Sequence, residues 1–280
     1  MVRPGIRTIL LAPLVIFALS YLIAVIVVAT ADRPVETFRS QAFKPRDIAI
    51  FGASGTAGDG ILKTALADPQ IRKIHVISRR STPRIEQGVA AGKAELTLHL
   101  DYLDYSDIHQ QISDVDTVYW AIGVSSLGVD AETYGRIHVD FPLQLLREWT
   151  SVNDAPDLSF HFISSSDISE DSSTMWVREK IRAEKSLFGF ADGSNLRVIA
   201  YRPDYIGPTA EEAHSGQKLL YWFFRPVGAA VRATEIGKAM LELTARGSAA
   251  KHGTKVSTSA IVRYGKAYDL RQIPVDQSNQ

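Results

Sequence analysis

Gly52, Gly55 and Gly58 close a short apolar run at residues 48–51 and open a helical pattern at residues 60–67. Glycine turns sharply and lets backbone N–H groups approach a ligand without a Cβ in the way. A helix that starts there directs its positive end at the same point. The segment Gly52-Ala53-Ser54-Gly55-Thr56-Ala57-Gly58 is therefore suited to a diphosphate, and the strand–turn–helix context reads as a dinucleotide-binding crossover unit. An ordinary glycine-rich turn is the alternative, and the flanking strand and helix argue against it.

The next apolar run, residues 74–78, ends in Arg79 and Arg80, with no Asp or Glu anywhere from residue 71 to 83. An acidic residue at this strand end would accept from a ribose 2′-hydroxyl, whereas arginines pair with a 2′-phosphate. The pattern favours NADP(H) over NAD. Later strand ends supply further candidates. Asp101 is placed either to accept from an adenine amino group or to cap the following helix. Ala121, Ile122 and Gly123 are small enough to let a ribose pass, and Ser164, Ser165 and Ser166 put hydroxyls at the end of a fifth strand. Serines there are also common turn formers.

These residues need a scaffold, and the rest of the chain describes one. Apolar, strand-like runs at 48–51, 74–78, 96–100, 117–122, 159–164 and 196–201 alternate with helical stretches at 60–67, 84–91, 108–112, 134–150, 176–189 and 234–246. That alternation predicts an α/β fold: a single doubly wound parallel sheet covered on both faces, with ligands at the carboxyl ends of its strands. Residues 46–265 form this domain, and residues 266–280 read as a loose polar tail.

Residues 8–31 carry no charge and are almost wholly apolar, long enough at about 1.5 Å per residue to cross a hydrocarbon core of about 30 Å. We read residues 1–31 as an N-terminal transmembrane helix and residues 32–45 as a linker. An uncleaved or cleaved signal is the competing reading, since Ala29-Thr30-Ala31 resembles a cleavage site. Arg33, Arg39, Lys44 and Arg46 outnumber Arg3 and Arg7, which places the domain in the cytoplasm behind a single-pass anchor. The run Leu219, Leu220, Tyr221, Trp222, Phe223, Phe224 reads as core, or alternatively as a wall for a lipophilic small-molecule substrate or a face against the bilayer.

Composition excludes several classes. With 31 basic and 31 acidic residues there is no basic surplus for a nucleic-acid partner. The chain has no cysteine, which removes disulfide scaffolds, thiolate zinc sites and cysteine nucleophiles. Its 7 histidines show no ligand-like i,i+4 pair, so no metal site is expected. Oligomeric state is not legible.

Together the glycine segment, the arginine pair, Asp116 through Gly123, Ser164 with Ser165, Lys180 with Glu184, and Tyr201-Arg202-Pro203 through Pro208 resemble the short-chain dehydrogenase/reductase superfamily. The nearest likeness is to its atypical branch, the Tat-interacting-protein-like NAD(P)-binding Rossmann proteins. The resemblance implies an oxidoreductase that binds NADP(H), with Pro203 and Ile206 near the nicotinamide and Ser165 or Ser164 with Lys180 in the catalytic positions. Taken alone, Lys180 would read as a solvated helix lysine. The family's catalytic pattern also needs a tyrosine four residues before the lysine, and that position holds Trp176. An indole N–H donates but does not titrate usefully, and no tyrosine lies between Tyr134 and Tyr201. Two functions follow: an oxidoreductase of atypical mechanism, or a catalytically silent NADPH-binding regulatory or assembly protein.

Overall fold

The computed structural model of the chain describes residues 6–31, 46–211 and 215–272. The expected linker at 32–45 lies outside the described residues. In chain order the elements are α1 (Ile6–Thr30), β1 (Arg46–Phe51), α2 (Thr56–Ala67), β2 (Ile71–Ser78), α3 (Pro83–Ala90), β3 (Ala94–Leu98), α4 (His109–Ile112), β4 (Thr117–Trp120) and α5 (Ala131–Gly135). A π-helical turn, Arg136–Asp140, joins α5 to α6 (Phe141–Val152). Then come β5 (Leu158–Ile163), α7 (Met175–Ala191), β6 (Leu196–Arg202), β7 (Tyr205–Gly207), α8 (Ser215–Phe224), β8 (Ala230–Arg232), α9 (Ala233–Ala245), β9 (Thr254–Ser257) and α10 (Thr258–Gln272).

Seven strands form one sheet in the order β3-β2-β1-β4-β5-β6-β9, every pair parallel. This is the doubly wound α/β arrangement, and the strand order reverses between β1 and β4. Alternation along β1 shows why both faces are covered. Ile48 and Ile50 join one apolar cluster with α2, α9 and α10, while Ala49 and Phe51 join the other with α6 and α7. On the first face α2 and α9 nearly touch: a Cβ on Gly60 would sit 2.3 Å from the Ala233 carbonyl carbon. β7 and β8 pair with each other outside the main sheet.

Helix α1 contains an 18-residue stretch, Pro13–Thr30, long and apolar enough to cross a membrane, with none of it buried.

Two expectations need correction. The tail does not begin at residue 266, because α10 runs to Gln272. Tyr268 is buried, and Arg271 donates from Nε to the buried Glu242 carboxylate at 2.9 Å. A polar stretch is thus held by an ion pair whose acid sits on α9; residues 273–280 lie outside the described residues. The aromatic run at 219–224 is not core, since no residue of α8 is buried. Leu219 is 65%, Leu220 46% and Trp222 72% exposed.

Candidate functional site

At the switch point between β1 and β4, the chain leaves Phe51 through Gly52 at φ +82°, a conformation open to glycine and strained for other residues. A Cβ there would lie 2.7 Å from the Ala121 carbonyl carbon, and one on Gly58 would lie 2.0 Å from the Gly52 oxygen. These two glycines let the turn, β4 and the first coil of α2 close on one another. Gly55 differs: its hypothetical Cβ has only the Gly52 oxygen nearby, at 3.5 Å, so that face of the turn is open. The Gly55 N–H is used within the turn, donating to the Gly52 oxygen at 3.0 Å.

The opening is a cleft of 490 Å³. Gly52, Ser54 and Gly55 line its floor, and Ala121, Ile122 and Gly123 line one wall. Arg79 and Arg80 stand at the end of β2, both exposed and both lining it. Neither has an ion-pair partner among the described residues. The nearby Arg84 contrasts with them. It is held by Asp59 from Nε at 2.5 Å, while Thr209 Oγ1 donates to the same carboxylate at 2.6 Å. That buried knot ties the first turn of α2 to α3 and to the segment after β7. Asp59 and Thr56 line a second hollow of 380 Å³ on the other side of the glycine turn, which Arg80 also borders. Ala57 lies in α2, behind the turn.

Asp101 is not in the cleft. It is exposed, and its Oδ1 accepts from the Leu103 N–H at 2.9 Å in a local turn, so it does not cap the following helix. The next residue, Tyr102, lines the cleft instead, 5% exposed and stacked on Phe141 with ring centroids 5.5 Å apart.

A second cluster, reached through Gly123, is built from side chains; Lys180, His138 and Ser165 do not themselves line the glycine cleft. Lys180 is buried on α7, and its Nζ donates to the Ile163 carbonyl at the end of β5 and to His138 Nδ1, both at 3.1 Å. With Nδ1 accepting, Nε2 carries the imidazole proton and donates to the Val124 oxygen at 3.2 Å. His138 sits on the π-helical turn, a distortion frequent at functional sites. A Cβ on Gly123 would be 2.9 Å from its ring. Burial and then the Lys180 charge push the His138 pKa down to about 3, against the Val124 bond, so the ring is neutral. Burial brings Lys180 down to about 8, opposed by Glu184. An ammonium has three hydrogens; two are engaged here, and the third has no partner among the described residues.

The serines separate clearly. Ser164 is buried and donates to Glu184 Oε1 at 2.6 Å, and that carboxylate also accepts two bonds from Arg202. Ser166 donates to Asp204. Ser165, half-buried between them, has no hydrogen-bond partner among the described residues. Trp176 is half-buried in the first turn of α7, and Pro203 and Ile206 follow β6. The Ser166 N–H donates to the Pro203 oxygen at 3.2 Å, which joins these two strand ends. Neither Pro203 nor Ile206 lines the glycine cleft.

No family model matches the chain. Among solved structures, a short-chain dehydrogenase/reductase from Serratia marcescens superposes with a TM-score of 0.60 at 16% identity, over 77% of this chain and 96% of that one. The KRED1-Pglu enzyme gives 0.60 at 16%, over 75% and 100%. A UDP-glucuronic acid 4-epimerase from Bacillus cereus, bound to NAD and a nucleotide sugar, gives 0.58 at 15%, over 76% and 77%. The chain has the short-chain dehydrogenase/reductase fold. Curated relatives of this reductase-fold chain include protein fmp52-1, mitochondrial, of Aspergillus terreus, 29% identical over 59% of this chain and 69% of that protein. Leucinostatins biosynthesis cluster protein T of Purpureocillium lilacinum is 28% identical over 50% of each chain. The match thus spans half the length of that relative.

Sequence reasoning missed three elements of the site: His138, Tyr102 and the Asp59–Arg84 knot. Each depends on a contact distant in sequence. Only the glycine at 123, close-packed on the histidine ring, left a trace in the local pattern.

Proposed function

We propose that this chain is a membrane-anchored, NADP(H)-dependent oxidoreductase acting on a carbonyl-type small molecule. The reading rests chiefly on one observation: a glycine turn opening onto a cleft whose rim holds two arginines with no ion-pair partner among the described residues. The residues present fit the coenzyme, because Gly55 leaves the turn open to a diphosphate. The bound coenzyme supplies or accepts hydride. The amino end of α2 holds the diphosphate, and Arg79 and Arg80 take the 2′-phosphate. Ser165 donates a hydrogen bond to the substrate oxygen. Trp176 moves no proton, so Lys180, brought down to about 8, releases one toward that oxygen and water restores it. His138 holds the ammonium in place through Nδ1.

The apolar length of α1 supports the anchor, the cations after it support a cytoplasmic domain, and the fmp52 relatives' names support a mitochondrial membrane. Trp176 also favours the second reading, a silent NADPH-binding regulatory or assembly protein. Detergent-solubilised full-length chain assayed with NADPH on a panel of aldehydes and ketones separates the two. Turnover in the native chain, lost in Lys180→Ala, supports the enzyme. Turnover gained only in Trp176→Tyr supports the silent protein.

A further inference from the structure

Helix α8 has two different sides. Gln217, Tyr221 and Phe224, spaced i, i+4, i+7, face the domain. Tyr205 donates from its hydroxyl to the Gln217 carbonyl at 3.4 Å, a Cβ on Gly207 would meet the Tyr221 ring at 2.5 Å, and the rings of Tyr205 and Phe224 lie 6.0 Å apart. Leu219, Leu220 and Trp222 lie on the other side and remain 65%, 46% and 72% exposed. An exposed apolar face of this kind marks a binding surface, and α1 identifies what meets it.

Phe223, beside Trp222, packs on α1. Its ring stacks on Tyr21 with centroids 5.2 Å apart and on Phe17 at 6.4 Å. The Tyr21 hydroxyl donates to the Phe223 carbonyl at 2.8 Å. Further along, Val28 approaches Gly228. Both polar groups at the crossing are therefore satisfied by each other, as backbone must be in hydrocarbon. Tyr21 lies ten residues before Ala31, roughly 15 Å along the helix axis, and a single leaflet of hydrocarbon is about half of the roughly 30 Å core. A chain that crosses the membrane with α1 cannot keep this contact while leaving α8 in water.

We propose that α8 is a second membrane element, immersed in the leaflet next to the domain, with Leu219, Leu220 and Trp222 in contact with lipid. The proposal rests on the anchor reading of α1. Lys218, exposed on the same helix, extends its ammonium to the headgroups while its methylenes remain in the apolar layer. The domain is then clamped to the bilayer at two points, and Gln217, which borders the hollow beside the glycine turn, places the rim of the site at the membrane surface.

The absence of cysteine makes single-cysteine labelling clean. Full-length chain carrying Leu219→Cys, Trp222→Cys, Val15→Cys on α1 or Leu270→Cys on α10 is labelled with bimane and reconstituted in phosphatidylcholine vesicles. Leu270 precedes Arg271, which reaches Gln70 at the amino end of β2, the end of the sheet away from α8. At positions 219 and 222 we expect at least about twofold quenching by doxyl-labelled acyl chains and shielding from aqueous iodide, with the reverse at 270. If 15 is shielded while 219 and 222 quench with iodide as 270 does, the α8 proposal is overturned and the anchor stands. If 15 is also open to iodide and alkali releases the chain from the vesicles, both readings fall together.

Discussion

The glycine turn and the lysine cluster are built from different materials. At the glycine turn one crossover unit, β1 to β2, supplies nearly everything, mostly as backbone. Gly52 and Gly58 have neighbours within 3 Å of where a Cβ would stand. In the lysine cluster four separate segments take part: Gly123 after β4, His138 from the π-helical turn, Ile163 with Ser165 at the end of β5, and Lys180 from α7. A backbone-built site has almost no tolerance for substitution, whereas a side-chain site can exchange one member and keep its shape. On the proposed function Trp176 is such an exchange, standing where the resembled family carries its tyrosine.

The largest effect should come from the glycine turn. Gly58→Ala forces a methyl to 2.0 Å from the Gly52 oxygen, so the turn must open. We expect NADPH binding by calorimetry to weaken by roughly 100-fold or more, with a clear loss of thermal stability. Gly55→Ala, with its nearest neighbour at 3.5 Å, should fold normally and lose affinity alone. If both variants bind like the native chain, the turn does not hold the diphosphate.

In the lysine cluster, Lys180→Ala should reduce turnover by about 10²- to 10⁴-fold, the usual span for a lost proton-transfer group, while weakening coenzyme binding far less. The pH profile sharpens this. Burial holds Lys180 near 8, and carbonyl reduction needs its ammonium, so the reduction rate should fall as pH rises through about 8. Stability has the opposite sign. The folded pKa lies below the ordinary 10.5, so the unfolded chain binds more protons between about 8 and 10.5. Stability from this group therefore increases with pH across that window, and Lys180→Met should abolish the increase in a denaturant series. His138→Leu removes the acceptor of the ammonium and should move the kinetic pKa below 8. A profile unchanged in that variant would detach the histidine from the lysine.

The same contrast explains how much was legible beforehand. The glycine turn, the arginine pair and the parallel α/β sheet could be read because their causes are local: φ, a run without acids and strand–helix alternation. His138 could not, since its meaning depends on Lys180, 42 residues away. Helix α10 was underestimated because Arg271 reads as solvent-facing until Glu242 on α9 is known to be buried beneath it. Helix α8 was misread for the converse reason. Aromatic density normally signals core, whereas Leu219, Leu220 and Trp222 stay 65%, 46% and 72% exposed among the described residues.

The arginines stand at the end of β2, across the glycine turn from the lysine cluster. Arg79→Ala or Arg80→Ala should weaken NADPH by about tenfold each, about 1.4 kcal/mol, and leave NADH unchanged. Equal affinity of the native chain for both coenzymes would remove the 2′-phosphate from the account.

The smallest effect concerns the residue that the sequence pointed to and the structure moved aside. Asp101 accepts from Leu103 within its own turn and does not border the cleft. Asp101→Ala should therefore leave NADPH affinity within about twofold and lower Tm by roughly 2 °C, the scale of one lost turn bond in a domain of this size. Tyr102→Ala, which strips a buried aromatic wall from the cleft, should weaken NADPH and NADH alike. If instead Asp101→Ala costs affinity and Tyr102→Ala does not, the turn rearranges when coenzyme binds. The carboxylate would then belong to the adenine end of the site.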